Sequence, residues 1–428
     1  MKIHNKLLKT SFFSGLSTLV KILTGIVSLK IIAMHTGPEG VAILGQFMAL
    51  ANIFATIAGG GIALGVIKYV AEYANTQELR NFLPTATLYT LFFSLTTMLL
   101  GIIYSQKLSE WILGSAEFAY LMRWMAIAQL FIAMHLLLCS ILNGFGQIRL
   151  LITVTIISSV LSFIIVCSVA LLYPLKSILL AFVVAQALAI CISLLFVYGK
   201  DWFRLLFSFK IEKKYLHNLL RYSFMSSVST LTVPLAQIIV RNDLNTLFGW
   251  ENVGYWQAVI RLSDAYLLFV TAALTTYYLP RLSELRAPAA LKEEITSTFK
   301  TLMPLIALML ICIYLFRGII INLLYSKTFT PATELFSYQL LGDFFRVASW
   351  LFTYLLLAKA WTKTYVITEI ILSAVFVCLS YSFSRSYGLI GVTYAFVLTY
   401  FIYWLLMTLV AIFYFKLESK NYKLAIIN

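Results

Sequence analysis

Residues 11–41, SFFSGLSTLVKILTGIVSLKIIAMHTGPEGV, return in altered form as residues 223–253, SFMSSVSTLTVPLAQIIVRNDLNTLFGWENV. Each stretch carries an apolar run that is long enough to cross a membrane. At an offset of 212 residues, the positions that match in the first stretch are Ser11, Phe12, Ser14, Ser17, Thr18, Leu19, Leu23, Ile26, Gly37, Glu39 and Val41. We interpret this match as an internal repeat, which predicts a chain built from two halves on one plan.

The composition of the whole chain indicates a membrane protein. Hydrophobic residues make up 61% of the 428 residues and charged residues only 11%, and the mean hydropathy is +0.91. No soluble domain could bury so much apolar surface, so we predict an all-α polytopic membrane protein with about 12 transmembrane helices. The predicted spans are 10–33, 41–67, 83–104, 118–142, 150–173, 177–199, 222–247, 253–278, 296–317, 332–358, 364–384 and 389–415.

The longest internal polar stretch divides these spans into two sets of six. We therefore predict an N-terminal six-helix lobe at residues 1–199, a cytoplasmic linker at 200–221 and a C-terminal six-helix lobe at 222–428. An even number of spans in each half makes the two lobes a parallel repeat, and in such transporters the substrate path lies between the repeats. Rocking of one lobe against the other would give alternating access.

The net charge of +15 is spread unevenly over the loops. Loops on the side of the N-terminus carry most of the lysines and arginines that lie outside the spans. By the positive-inside rule, this distribution places both termini in the cytoplasm. The basic excess orients the chain in the membrane, so nucleic acid is not expected as a partner.

We take ten charged residues of the predicted spans as candidate site residues, because a charge inside a span costs at least about 2.5–3.5 kcal/mol on insertion scales. The cations are Lys21, Lys30, Arg123, Arg241, Arg261 and Arg346, and the acids are Asp243, Asp264, Asp343 and Glu369. Because the cations outnumber the acids, we expect a cationic interior that binds an anionic cargo. The acids are candidates for coupling transport to a proton or another cation.

Lys21 is the clearest candidate for contact with an anion. It lies about 18 Å along a helix from Lys9, which is further than a lysine side chain can reach to the interface. No acidic residue stands three or four positions away to neutralise it. Lys30 is near enough to the outer end of the span to reach the interface, and for Arg123 a role as an interfacial anchor is narrowly favoured.

Two of the candidate pairs have a spacing of three residues, Arg261 with Asp264 and Asp343 with Arg346. That spacing places both members on one helical face, where they can partly neutralise each other. The sequence leaves open whether these pairs only ease insertion into the membrane or take part in transport.

The remaining candidates have no such local partner. Arg241 and Asp243 are two residues apart and point in roughly opposite directions on a helix, so they cannot cancel each other locally. Glu369 stands alone in its span and is expected either to be protonated or to have a partner on another helix.

The other reactive side chains give no sign of catalysis. The five cysteines lie within spans with no CxxC motif and are expected to pack. His135 lies within a span, where a packing role is favoured over a proton relay. There is no phosphate-binding ATPase loop, nucleophile elbow or metal-ligand spacing, and no long loop on the outer side. We therefore predict a protein that is not an enzyme and needs no cofactor.

Five segments carry a resemblance to a known family. They are STLVKILTGIVSLKIIAMHTGPEGVAILGQF (17–47), GGGIALGVIKYVAEY (59–73), WQAVIRLSDAYLLFVTAALTTYYLPRLSEL (256–285), QLLGDFFRVASWLFTYLLLAKA (339–360) and TKTYVITEI (362–370). Together they resemble the Wzx-type lipid-linked oligosaccharide flippases of O-antigen and enterobacterial common antigen synthesis. These belong to the superfamily of multidrug/oligosaccharidyl-lipid/polysaccharide exporters.

The resemblance implies twelve helices in two lobes, located in a bacterial inner membrane. It implies a cargo of undecaprenyl-pyrophosphate-linked oligosaccharide, moved from the cytoplasmic to the periplasmic leaflet, with proton or sodium-ion coupling left open. A polysaccharide polymerase and a chain-length regulator are the implied protein partners, alongside membrane lipids.

The resemblance also implies roles for individual residues. The cationic cavity of the family maps onto Lys21, Arg241 and Arg346, and its recurrent acids map onto Asp264, Asp343 and Glu369. Arg261 departs from the family pattern, in which we expect a small polar residue.

Three alternative functions fit the sequence less well. A drug/cation antiporter of the same superfamily would need an acidic pocket, which the cationic interior disfavours. A membrane-embedded polysaccharide polymerase or ligase would need catalytic groups on a large periplasmic loop. A scaffold that transports nothing would leave Lys21 unexplained.

Overall fold

The computed structural model describes the backbone of residues 2–208, 210–285 and 287–427, which is helical almost throughout. The α-helices in these ranges are α1 (Lys2–Ala58), α2 (Ala63–Tyr73), α3 (Glu78–Ile103), α4 (Ser105–Leu113), α5 (Ala119–Gly144), α6 (Ile148–Leu172), α7 (Leu175–Val197), α8 (Lys213–Ala273), α9 (Leu279–Glu284), α10 (Pro288–Leu324), α11 (Phe336–Ala358), α12 (Thr362–Tyr387) and α13 (Gly391–Ile427). A π-helical turn, Leu274–Tyr278, joins α8 to α9, and short 3₁₀ segments stand between several other helices.

The described helices account for the twelve predicted spans. By length and composition, nine helical segments in the described part of the chain could cross a membrane. Three of them have 41, 59 and 56 residues, which is at least twice the roughly 20 residues that one crossing needs. Each of the three is interrupted once by a glycine with a positive φ, at Gly37, Gly249 or Gly388. Each therefore supplies two crossings, which gives twelve.

Two of these interruptions occupy equivalent positions of the internal repeat. Gly37 has φ 65° and ψ −168°, and Gly249 has φ 80° and ψ 163°. This region of backbone space is open almost only to glycine, because a Cβ atom would strain it. Pro38 then starts the next helical arm of α1, at a position where its missing N–H costs no hydrogen bond. The two halves thus turn at the same point of the repeat.

The described helices form two compact units, one up to Ile238 and the other from Ile239 onwards. This division falls within α8, whereas the sequence predicts that the lobes divide at the linker 200–221. The lobe boundaries stay a prediction.

In the first unit, α5 packs against α3 and α7, and α6 packs against α1 and α7. Part of the predicted linker is a 3₁₀ segment, Asp201–Phe207, which packs against α3. Its Trp202, Phe203 and Leu206 side chains are buried in the core of this unit. This part of the linker is therefore an ordered piece of the first unit.

In the second unit, α11 and α12 both pack against α13. The contact between α11 and α13 is close, because a Cβ atom built on Gly342 would clash with the Phe396 ring. Trp256 on α8 and Val347 on α11 are fully buried in this unit. The predicted candidates on α8 and α11 are therefore held on firmly packed helices.

Candidate functional site

Lys21 lies on the first arm of α1, within the predicted span 10–33. It is about 24 Å along the helix axis before the break at Gly37, at 1.5 Å per residue. Its side chain is exposed, and no ion pair joins it to an acid among the residues whose side chains are described. An ammonium inside the predicted span would be costly in contact with hydrocarbon. We therefore expect water or an anion beside this lysine.

A group of polar side chains lies between α5 and α7 in the first unit. His135 on α5 places its Nδ1 2.7 Å from the Ser193 hydroxyl on α7, and the Cys139 Sγ lies 3.7 Å from its Nε2. The sequence favours a packing role for His135 and does not indicate Ser193 as its partner, because this contact depends on how α5 packs against α7.

The other two predicted cations of the first unit lie elsewhere. Lys30 is about 14 Å further along α1 than Lys21 and is partly exposed. Arg123 is exposed in the second turn of α5, and its Nε donates a hydrogen bond of 3.2 Å to the Ser105 hydroxyl at the start of α4. Arg123 therefore lies at the end of a span, as an interfacial anchor would.

In the second unit, Arg346 is the centre of an ion-pair network. Its Nη1 lies 3.6 Å from Asp264 Oδ1 on α8 and 3.7 Å from Asp343 Oδ1 on its own helix. Asp343 is completely buried, and the Tyr266 hydroxyl donates a hydrogen bond to its Oδ2. The contact between Asp343 and Arg346 was predicted from their spacing, whereas the contact with Asp264 joins two helices.

Aromatic rings cover the guanidinium of Arg346. Its Cζ lies 5.1 Å from the centre of the Trp350 ring and 5.6 Å from that of Tyr400. Both distances are within the range in which a cation is attracted to a ring face. Carboxylates and rings together hold Arg346 in place, in contrast to the exposed side chain of Lys21.

Arg241 is the most deeply buried of the predicted cations. Only 2% of the residue is exposed, and its Nε donates a 2.8 Å hydrogen bond to Gln257 Oε1. Arg261, further along α8, is partly exposed. The ion-pair network around Arg346 therefore joins one guanidinium group to the two carboxylates of Asp264 and Asp343.

The two remaining acids have partners of their own. Asp243 accepts two hydrogen bonds of 2.8 Å from Arg385, whose guanidinium lies 3.4 Å from the Tyr381 ring centre. Glu369 accepts a 2.7 Å hydrogen bond from the Tyr365 hydroxyl. Arg385, which the sequence places in a loop, lies in the last turn of α12 and is the partner that the sequence did not indicate.

Comparison with known sequences identifies the family of the chain. The model of a family described as polysaccharide biosynthesis protein matches residues 7–286. The chain is also 30% identical over 399 residues to a protein named lipid III flippase from Escherichia coli (strain K12), and the match covers 93% of this chain and 96% of that protein.

Solved structures share the fold. An inward-facing multidrug resistance MATE family transporter of the MOP superfamily has a TM-score of 0.82 at 15% identity, over 94% of this chain and 96% of that chain. An inward closed structure of the lipid II flippase MurJ has a TM-score of 0.74 at 16% identity, over 97% and 100%. At these identities the likeness concerns the fold alone.

Proposed function

The chain belongs to the polysaccharide biosynthesis protein family, and from this membership we propose that it is a flippase for lipid-linked oligosaccharides. The cargo is an undecaprenyl-pyrophosphate-linked repeat unit, moved from the cytoplasmic to the periplasmic leaflet by alternating access for O-antigen or enterobacterial common antigen synthesis. The observation that carries this proposal is the 30% identity to a lipid III flippase along 93% of the chain. The protein acts as a transporter and not as an enzyme.

The location follows from the spans and the basic loops. We assign the protein to a bacterial inner membrane with both termini in the cytoplasm, supported by the clustering of lysine and arginine in loops on one side. A polysaccharide polymerase and a chain-length regulator are its proposed partners, because these would use the repeat unit once it has been moved.

Lys21 is the proposed first contact for the pyrophosphate. Its ammonium is exposed in the middle of a span and has no ion pair in the described part of the chain, so it is available to an anion. A charge-assisted hydrogen bond to a phosphate oxygen is about twice as strong as a neutral one. Lys30 and Arg123 are secondary candidates, nearer the end of the span.

The second unit contributes a positive field and the proposed coupling groups. Arg241, Arg261 and Arg346 are the cations of this unit that we assign to attracting the anion, and Arg346 also pairs with Asp264 and Asp343. We assign proton or sodium-ion coupling to Asp264, Asp343 and Glu369, since a carboxylate that exchanges a cation changes the charge balance of such a network. Asp243, also predicted from the sequence, is assigned to joining α8 and α12 through Arg385.

Deletion of the gene tests the proposed cargo. We expect surface glycan to be lost and a lipid-linked oligosaccharide to accumulate in the cytoplasmic leaflet, where a membrane-impermeant probe reaches it only in inverted vesicles. Expression of the intact chain should reverse both effects. Accumulation in the periplasmic leaflet would contradict the proposal and favour a polymerase or ligase, and unchanged surface glycan would remove this class of cargo.

A further inference from the structure

The stretch from the end of α7 to the first turn of α8 is fixed to the first unit. We call its described residues, 198–208 and 210–214, the connecting segment. The Trp202 ring stacks on Phe145, with 5.6 Å between the ring centres. Thr85 on α3 donates a 3.4 Å hydrogen bond to the Lys210 carbonyl and accepts one of 3.2 Å from the Glu212 N–H. These contacts give the connecting segment a defined side that faces away from the core.

The outward side of the connecting segment carries an arginine and a phenyl ring on one face. Asp201–Phe207 is a 3₁₀ helix, in which residues three apart lie one above the other. Arg204 and Phe207 have this spacing and are both exposed, and 64% of Phe207 is accessible. The opposite side of the same helix is buried in the core of the unit. Because the ring favours apolar surroundings and the guanidinium favours water, this face suits a boundary between hydrocarbon and water.

Exposed apolar side chains at the end of α7 place that boundary at the connecting segment. α7 is apolar enough to cross a membrane, and Leu195 and Tyr198 at its end are largely exposed. The Tyr198 ring centre lies 5.9 Å from that of Phe203, and the Phe203 ring centre lies 5.3 Å from that of Phe207. Phe207 therefore extends the apolar surface of α7 to the point at which the chain becomes basic.

The connecting segment has a positive charge that its own acids do not neutralise. Its sequence contains five lysines and arginines and two acids. Lys214 is paired with Glu78, with 3.0 Å between Nζ and Oε1. Arg204, Lys210 and Lys213 are exposed, and no ion pair joins them to an acid among the side chains that the structure describes. Cations that cluster beside the membrane end of a helix attract acidic lipid headgroups.

We propose that the connecting segment binds anionic phospholipid of the membrane in which the protein lies. Arg204, Lys210 and Lys213 contact the headgroup phosphates, and Phe207 packs against the acyl chains where they meet the headgroups. A guanidinium suits this role, because its planar fork can donate two hydrogen bonds to one phosphate. A soluble acidic partner would match the charges but would offer nothing to the exposed ring. The inference does not depend on the cargo, whose proposed contact is Lys21.

The size of the effect follows from the number of cations. Each lysine or arginine near an anionic membrane surface contributes about fivefold to affinity, the factor that corresponds to about 1 kcal/mol. Loss of the three exposed cations of the connecting segment should therefore reduce the preference for an anionic lipid by at least about tenfold.

The test measures the binding of a short-chain, fluorescently labelled phosphatidylglycerol to the full chain in detergent micelles, by fluorescence anisotropy. The corresponding phosphatidylcholine, which has no net charge, is the reference. The segment variant combines Arg204→Gln, Lys210→Gln and Lys213→Gln. Because all three side chains are exposed, the variant is expected to fold, and thermal unfolding in the same detergent checks this.

A matched control removes the same amount of charge from the second unit. It combines Lys292→Gln, Lys300→Gln and Lys363→Gln, at three exposed positions. This control distinguishes a site at the connecting segment from a general attraction between a basic protein and an acidic lipid.

We expect the wild type and the control variant to prefer phosphatidylglycerol by at least about tenfold and the segment variant to lose most of this preference. A wild type without the preference would overturn the proposal. So would an unchanged preference in the segment variant, or an equal loss in the control variant. If the segment variant fails to fold, Arg204→Gln alone takes its place, with an expected loss of about fivefold.

The ring is tested separately from the charges. Phe207→Ala should weaken the binding of both lipids and leave the preference for phosphatidylglycerol unchanged, because the ring contacts the acyl chains and not the headgroup. Unchanged binding of both lipids by this variant would overturn the contact between Phe207 and the lipid.

A competition experiment separates the membrane lipid from the cargo, which is also an anionic lipid. Unlabelled farnesyl pyrophosphate should displace the labelled phosphatidylglycerol no better than unlabelled phosphatidylglycerol does. Stronger displacement by farnesyl pyrophosphate that is lost in the segment variant would assign the connecting segment to the cargo and overturn the proposal. The proposed function is tested by deletion of the gene and stands or falls independently of these results.

Discussion

The arm of α1 that carries Lys21 and the equivalent arm of α8 have the same backbone turn at their ends but carry different charges. Both arms end at a glycine with positive φ, Gly37 and Gly249. In the repeat, however, Lys21 is matched by Val233 and Arg241 by Leu29. The geometry of the two arms is thus preserved while their charges are not.

The charges of the two units also differ in their surroundings. Lys21 is exposed in the middle of a span, whereas Arg346 is held between two carboxylates and two aromatic rings. A cation that already has its counter-ions gains less from a further anion than one that has none. We therefore expect the first unit to bind the anionic cargo and the second unit to respond to charge through its network.

The largest effect on transport is expected at Lys21. Lys21→Ala removes the proposed contact and should reduce glycan export at least tenfold, the factor that corresponds to about 1.4 kcal/mol. Lys21→Arg should restore part of the export, because the charge remains although the compact ammonium does not. Surface glycan would be quantified in cells matched for membrane levels of the protein. Lys107→Ala, at an exposed position of α4, is the control and should export normally.

The largest effect on stability is expected at Arg346. Arg346→Ala leaves the fully buried Asp343 without its counter-ion, which commonly costs about 3–5 kcal/mol in the free energy of unfolding. The double variant Arg346→Gln with Asp343→Asn should recover much of this loss. Thermal unfolding in detergent, followed by tryptophan fluorescence, measures both. A single variant as stable as the wild type would show that this network does not hold the unit together.

An intermediate effect is expected at the shared turn of the two arms. Gly249→Ala and Gly37→Ala each place a Cβ in a backbone region that costs about 1–3 kcal/mol. No neighbouring atom lies within 4 Å of the added methyl group at either position, so backbone strain accounts for the loss. Gly25→Ala, within the helical part of α1, has the same open space and should be neutral or stabilising. Equal unfolding temperatures for Gly249→Ala and Gly25→Ala would contradict the shared turn.

The smallest effect is expected at the ion pair between Asp243 and Arg385. Its side chains are 20% and 36% exposed, and partly exposed pairs contribute little, about 0–1 kcal/mol. Asp243→Asn should therefore keep export within about twofold of the wild type in the same glycan assay. A complete loss of export would contradict this expectation and would instead place Asp243 among the coupling groups.

The features that follow from local sequence were predictable. Hydropathy predicts the twelve spans. The internal repeat aligns Gly37 with Gly249, and the structure has a positive φ at both glycines. The contact between Asp343 and Arg346 follows from a spacing of three residues on one helix. Lys21 stood out because no acid is near it in the sequence.

The contacts between distant helices were not predictable. Three contacts depend on how helices are rotated against one another: those of Asp264 with Arg346, of Asp243 with Arg385 and of His135 with Ser193. A single sequence shows which face of a helix is apolar but not which neighbour that face meets. The sequence therefore identified most of the charged candidates and missed their partners.

Lys21 in the first unit is the proposed binding site for the pyrophosphate of the cargo. The most direct measurement compares the affinity of purified wild-type protein and Lys21→Ala, in nanodiscs, for farnesyl pyrophosphate and farnesol. We predict that the wild type prefers the pyrophosphate by at least tenfold and that Lys21→Ala loses most of this preference while its affinity for farnesol is unchanged. An undiminished preference in a folded Lys21→Ala protein would contradict the claim and move the anion site to the arginines of the second unit.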